Sequence, residues 1–229
     1  ESFRLDAART NLRIAEPFVL EAGGAHPVGW MYLIRSALYI HEGEYANAES
    51  LLAAGLANVR NDLGEDSVLS DTLAFVAALC AVETGRDDEA RTLLTAGLRT
   101  AHSYGLVGTA AFGFDAAVKL WHGKDDNLIS ISRLRDIASS YPARLDLMLS
   151  CYLIRRLLCL GRLKEALDEA ARIGLDLEGD QMTPHHNKEF AKPRYRDLYR
   201  ATVIDLLIAT HRFRQAESLI KEETEIART

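Results

Sequence analysis

Apolar residues recur along most of the chain at the three-to-four-residue spacing of helices packed on one face. The runs come in pairs. Trp30–His41, Asp71–Thr84, Thr109–His122, Asp146–Leu160 and Arg196–Thr210 read as first helices, each followed by a break and a second run. In the second runs, Leu51, Leu52 and Leu56, then Leu93, Leu94 and Leu98, form inward stripes at helical spacing. Leu5–Glu21 reads as an extra leading helix; Pro17 interrupts it, which predicts a kink or helix end. Gly23-Gly24 and Pro27 predict a loop, and no stretch carries a strand signal.

The breaks repeat. Gly43-Glu44-Tyr45-Ala46-Asn47-Ala48, Gly85-Arg86-Asp87-Asp88-Glu89-Ala90 and Gly161-Arg162-Leu163-Lys164-Glu165-Ala166 share one frame. His211-Arg212-Phe213-Arg214-Gln215-Ala216 keeps the frame without the Gly, and Gly123-Lys124-Asp125-Asp126-Asn127-Leu128 keeps the Gly without the Ala. Successive anchors lie 42, 38, 38 and 50 residues apart. A Gly after a helical run suits a left-handed C-terminal position, where a Cβ would clash. The Ala five residues later suits a close helix crossing, and Leu at Ala48 or Ala90 would cost about 1–3 kcal/mol by overpacking.

A hairpin of this size cannot bury its own face and must stack on its neighbours. The pattern predicts an all-α fold, a tetratricopeptide-like α-solenoid of about five stacked helix hairpins plus an N-terminal helix. It reads as one domain over 1–229, with a leading helix at about 5–21. The hairpins fall at about 28–60, 70–103, 108–140, 145–175 and 194–227. A loop at about 176–193, with Pro184, His185, His186 and Pro193, lengthens the last spacing.

Composition narrows the function. The net charge of −6 argues against broad binding to a phosphate backbone, which needs a basic face. Cys80, Cys151 and Cys159 lie in apolar helical runs without a CxxC pair, as buried reduced thiols of a cytoplasmic protein do. No apolar run reaches the roughly 18 residues of a membrane span, and no signal peptide opens the chain. Its first residue is Glu1, as expected of a segment of a longer protein.

Catalytic and cofactor motifs are missing: no GxxxxGK[ST], GxGxxG, HExxH or GxSxG occurs. His185-His186 is the one paired histidine and lacks the further ligands of a zinc site. Asp87-Asp88 and Asp125-Asp126 stand at inter-helix turns, where they favour the N-terminus of the following helix. The expectation is a non-enzymatic chain with no cofactor and no metal.

In stacked hairpins the first helices line the concave face. Offsets of two and six residues before the turn Gly select His41 and Ala37, Glu83 and Leu79, Trp121 and Ala117, Cys159 and Arg155, Ala209 and Asp205. Trp30 falls on the same face. Trp30, His41, Glu83, Trp121, Arg155 and Asp205 are the candidate groove, suited to a small polar effector or an extended peptide. The basic run Lys188, Lys192, Arg194, Arg196 and Arg200, interleaved with Phe190, Tyr195 and Tyr199, is broken by Glu189 and Asp197; it reads as a solvated face or domain contact before a nucleic-acid patch.

The longer period and these turns resemble a specific family. The stretches GWMYLIRSALYIHEGEYANAESLLAAGL, AALCAVETGRDDEARTLLTAGLRTAHSYGL, RRLLCLGRLKEALDEA and YRATVIDLLIATHRFRQAESLI are similar to the helical repeat region of the MalT-like subgroup of large LuxR-family transcriptional activators. That resemblance implies a sensor segment that binds a small-molecule effector or an inhibitory protein. A nucleotide-binding module and a DNA-binding domain would flank it, so DNA would be contacted only through a domain absent from this segment. The alternative is a free-standing repeat scaffold for protein–protein interaction.

Overall fold

In a computed structural model of the chain, residues 5–100, 107–126, 128–142, 144–175, 177 and 193–228 are described. They form an all-helical repeat fold, without a strand among the described residues. The helices are α1 (Leu5–Ala22), α2 (Ala25–His41), α3 (Tyr45–Leu63), α4 (Val68–Glu83), α5 (Asp87–Thr100) and α6 (Val107–Leu120). After them come α7 (Ile131–Ser139), α8 (Arg144–Cys159), α9 (Leu163–Arg172), α10 (Pro193–Ala209) and α11 (Phe213–Arg228). The chain divides into two compact units, α1–α6 with Asp126–Ser130 and α7–α11 with His122–Asp125. The third pair of runs is thus shared between them, α6 in the first unit and α7 in the second.

One turn closes four of the hairpins. Gly43, Gly85 and Gly161 have φ of 75°, 75° and 71°. The amide after each donates to the carbonyl five residues back: Glu44 to Tyr39 at 2.8 Å, Arg86 to Ala81 at 2.8 Å and Arg162 to Leu157 at 2.9 Å. The Gly amides donate to Ile40, Val82 and Leu158 at 3.0 Å each, completing the paired Schellman bonds that satisfy the last carbonyls of a helix. His211 builds the same turn at φ 61°, with Arg212 N bonded to Leu207 O at 2.8 Å. It is the one described non-Gly residue with positive φ.

The third break differs. Gly123 has φ 87°, but residues 121–130 separate α6 from α7. Asp126 folds its own stretch instead, its Oδ1 accepting from the amides of Leu128 at 2.8 Å and Ile129 at 2.6 Å. Asp125 does serve the following helix, since its Oδ1 accepts from the amide of Ile131 at 3.2 Å. Short polar side chains that bond nearby amides favour such loops over helix. Asp87 and Asp88 lie in the first turn of α5.

Small residues set the packing. Ala48, Ala90 and Ala166 are fully buried and Ala216 nearly so. In the first unit α4 touches α2, α3, α5 and α6, which is why its sequence is apolar all round. Phe75 of α4 fits against two glycines, Gly97 on α5 and Gly113 on α6; a Cβ at Gly97 would meet its Cδ1 at 2.5 Å, and one at Gly113 would come closer. Gly55 likewise admits Tyr32, at 2.9 Å from a built Cβ. Buried Asp71 is held by Arg99 at 3.2 Å, and the Ser67 hydroxyl caps α4 by accepting from Ser70 N at 3.2 Å. In the second unit α8 touches α7, α9 and α10. Buried Glu169 pairs with Arg135 and, at 3.1 Å, with Arg172, whose second partner is Asp146 at 3.0 Å.

Two local expectations change. α1 runs on through Pro17 instead of ending there. Pro27 sits in the first turn of α2, where its missing N–H leaves no helical bond unmade, so the loop shrinks to Gly23-Gly24. Among the cysteines, Cys80 and Cys151 are buried, whereas Cys159, last residue of α8, is exposed. Burial pushes both buried thiols up to about 12, which disfavours the nucleophilic thiolate. The loop at 178–192, with His185 and His186, lies outside the described residues.

Candidate functional site

In the first unit, α4 separates α2 from α6 while touching both. The stripe of α2 left open by this packing is Trp30, Ile34, Ala37 and His41, spaced four, three and four residues apart and therefore on one helical face. Ile34 is 49% exposed, a large apolar side chain in water within a helix whose other faces are packed. Trp30 is half-buried and its Nε1 donates to Nε2 of His26 at 3.1 Å. His41 closes the stripe with its ring 6.1 Å from that of Phe112, on α6.

The opposing stripe of α6 is Phe112, Asp115 and Lys119, again at helical spacing and half-buried. The Lys119 ammonium bridges two carboxylates, Asp115 at 3.0 Å on its own helix and Glu83 at the end of α4. Burial alone would lower its pKa. The Asp115 charge and the hydrogen bonds to Glu83 and Asp115 outweigh that, and the ammonium is held above its ordinary value. Tyr45, the first residue of α3, faces the same cluster, its phenol pushed up by burial and then by the Glu83 charge. On α4, Ala77 and Val82 are half-buried, both small or medium apolar side chains.

Four of the residues selected from the sequence fall in this unit. The structure brings His41 and Glu83 to the α6 stripe and places Trp30 on the α2 stripe. Trp121 is only 8% exposed, and Leu79 and Ala117 are buried, so these positions serve packing. α6 ends at Leu120, three residues before its Gly, whereas α2, α4 and α8 end two before theirs. The exposed face of α6 is Phe112, Asp115 and Lys119, two residues out of step with the fixed offsets; the earlier end of α6 accounts for one of the two. Their spacing alone, counted back four, eight and eleven residues from Gly123, held the signal.

In the second unit Arg155 of α8 donates through Nε to Oδ2 of Asp205 on α10 at 2.8 Å, both part-exposed. Arg156 meets Nδ1 of His122 at 3.1 Å. The basic run is described only in part. Tyr199 is 5% exposed, its phenol pushed up to about 12 by burial. Arg200 is 8% exposed and paired with Glu222 at 2.9 Å and with Glu223. Arg200 thus ties α10 to α11, while Tyr199 lies near Cys151 of α8, and neither offers a basic surface.

Among the described residues no group of three or more His, Cys, Asp or Glu side chains is placed to hold a metal ion. No described helix is long and apolar enough to cross a membrane. No family model matches the chain, and no curated protein matches it.

Proposed function

We propose that the chain is a non-catalytic binding domain that holds an effector or partner on the open faces of its first helices. The observation that carries this reading is the α2–α6 face, where exposed Ile34 and half-buried Trp30 and Phe112 adjoin the Glu83–Lys119–Asp115 cluster. Apolar platforms beside a few fixed polar groups are what ligand sites are made of. Each described side chain of that cluster is engaged in an ion pair or ring contact, an arrangement suited to recognition.

In the setting that the repeat resemblance implies, the domain is the sensor segment of a LuxR/MalT-like transcriptional regulator, cytoplasmic and without cofactor, acting on DNA through a separate domain. The alternative is a free-standing scaffold for protein–protein interaction, which the length of the α2 stripe favours. The test is a thermal-shift screen of the purified chain against sugars, amino acids, nucleotides and short peptides. A ligand at 100 times its Kd stabilises the fold by about 2.7 kcal/mol, which the screen detects. A hit lost in His41→Ala or Ile34→Ser supports the reading; hits indifferent to both variants overturn it.

A further inference from the structure

We infer that the outer face of α1 pairs with the same face of a second copy of this chain. The two helices run antiparallel, with Ile14 and Phe18 at the centre and Arg13 of each copy opposite Glu21 of the other. This surface is distinct from the α2–α6 face.

The register of the repeat shows what α1 lacks. α1 and α3 end alike: Gly23 and Gly64 have φ of 65° and 87°, and their amides donate four residues back, to Val19 O at 3.1 Å and Arg60 O at 3.0 Å. Counted from those glycines, Ala7, Asn11, Ile14, Ala15 and Phe18 take the places of Ala48, Leu52, Gly55, Leu56 and Val59. All five of these α3 residues are buried. Gly55 admits Tyr32 of α2 and Val59 lies beside Gly29 of α2, so this side of a second helix meets its own first helix. α5 repeats the arrangement with Gly97 against Phe75 of α4. In α1 no residue is buried, and Ile14 and Phe18 are 60% and 67% exposed.

A further first helix of the repeat fits that face poorly. Where α3 and α5 hold Gly to let an aromatic ring in, α1 holds Ile14, which would keep the ring out. Where they bury Leu52 and Leu94, α1 holds Asn11, whose amide keeps its hydrogen bonds at a rim open to water. A cap facing water fits no better, because the outer face of a terminal repeat is polar and α1 sets Ile14, Phe18 and Leu20 in solvent.

Charge selects a second copy. Arg9 and Glu16 of α1 are paired with Glu42 and Arg35, whereas Arg13 and Glu21 make no ion pair with a described residue. Both are exposed and stand at opposite ends of the Ile14–Phe18 patch, about 12 Å apart along the helix. A two-fold contact brings the same patch of both copies together. With the axis at Pro17 and the helices antiparallel, Arg13 of each copy lies opposite Glu21 of the other, and Ile14 and Phe18 lie against their counterparts. A parallel pair would oppose like charges. Two helical faces of this length bury less than about 1,200 Å², the range of weak reversible contacts, so the dimer is expected to dissociate at micromolar concentration.

The test is sedimentation velocity of the purified chain at low salt, from about 1 to 500 µM, with circular dichroism checking that each variant remains helical. The wild type is expected to pass from monomer to dimer as concentration rises, and Phe18→Ser to remain monomeric. Arg13→Glu and Glu21→Arg each remove both ion pairs and are expected to weaken the dimer by about two- to thirtyfold. Combining Arg13→Glu with Glu21→Arg sets opposite charges against each other again and is expected to return the affinity toward that of the wild type. A monomer at every concentration, a dimer indifferent to Phe18→Ser, or a double variant no tighter than the single ones overturns the proposal.

Discussion

Nε of Arg155 donates to Oδ2 of Asp205 at 2.8 Å, joining α8 to α10 between residues fifty positions apart. Both side chains are more than a third exposed, so the pair is screened by water and contributes little to stability. A double-mutant cycle of Arg155→Ala and Asp205→Ala, measured by urea unfolding, is expected to give a coupling of about 0.2–1 kcal/mol. Any larger loss of ligand binding in these variants is then a loss of contact and not of fold.

His211 occupies a left-handed position that the other Schellman turns give to Gly. Such a conformation costs an L-residue about 1–2 kcal/mol, partly offset because Gly gains freedom in the unfolded chain. His211→Gly is expected to stabilise the protein by about 0.5–1 kcal/mol, raising Tm by about 1–4 °C in a melting curve. A fall in Tm would show that the His211–Phe213 ring contact, centroids 5.7 Å apart, outweighs the strain.

Gly113→Ala and Gly97→Ala each place a methyl against the Phe75 ring. Overpacking of a closed core costs about 1–3 kcal/mol, read as a lower denaturation midpoint with unchanged m-value. Adding Phe75→Leu to Gly113→Ala is expected to recover part of that loss, because it removes the atoms that clash.

Asp126 is held at about 2, well below the usual carboxylate range. The hydrogen bond from the Ile129 amide contributes most, followed by that from Arg91. A depressed carboxylate stabilises the fold above its ordinary pKa and ceases to as pH falls through the folded value. The contribution of this loop should therefore disappear between about pH 4 and pH 2. Carboxyl carbon shifts followed by NMR are expected to give a midpoint near 2, and Arg91→Ala should raise it without restoring the ordinary value.

The fold was legible because its two signals are local. A Gly after an apolar helix and an Ala five residues later each report a backbone requirement that neighbouring residues suffice to state, and four turns share it down to the His211 substitute. The third turn was less legible, since Asp125 and Asp126 look alike in sequence while one caps α7 and the other folds a loop. Pro27 was misplaced because a proline in the first turn of a helix looks like one in a loop. The Phe75–Gly97–Gly113 contact joins three helices and has no local signature. At the candidate site, fixed offsets select His41 and Glu83, which lie beside the α6 stripe, but buried Trp121 and not part-exposed Lys119; the two are two residues, or about 200° of helix, apart, and the earlier end of α6 accounts for only one of them.

The central claim, that the open face of the first helices is the binding surface, is tested most directly by calorimetric titration. The tightest hit of the thermal-shift screen is titrated into the wild type, into Ile34→Ser, and into Ala54→Arg on the solvent face of α3. The account predicts at least tenfold weaker binding for Ile34→Ser, about 1.4 kcal/mol or more, and an unchanged Kd for Ala54→Arg. Unchanged binding in Ile34→Ser, with loss in Ala54→Arg, would contradict it and place the ligand on the outer surface.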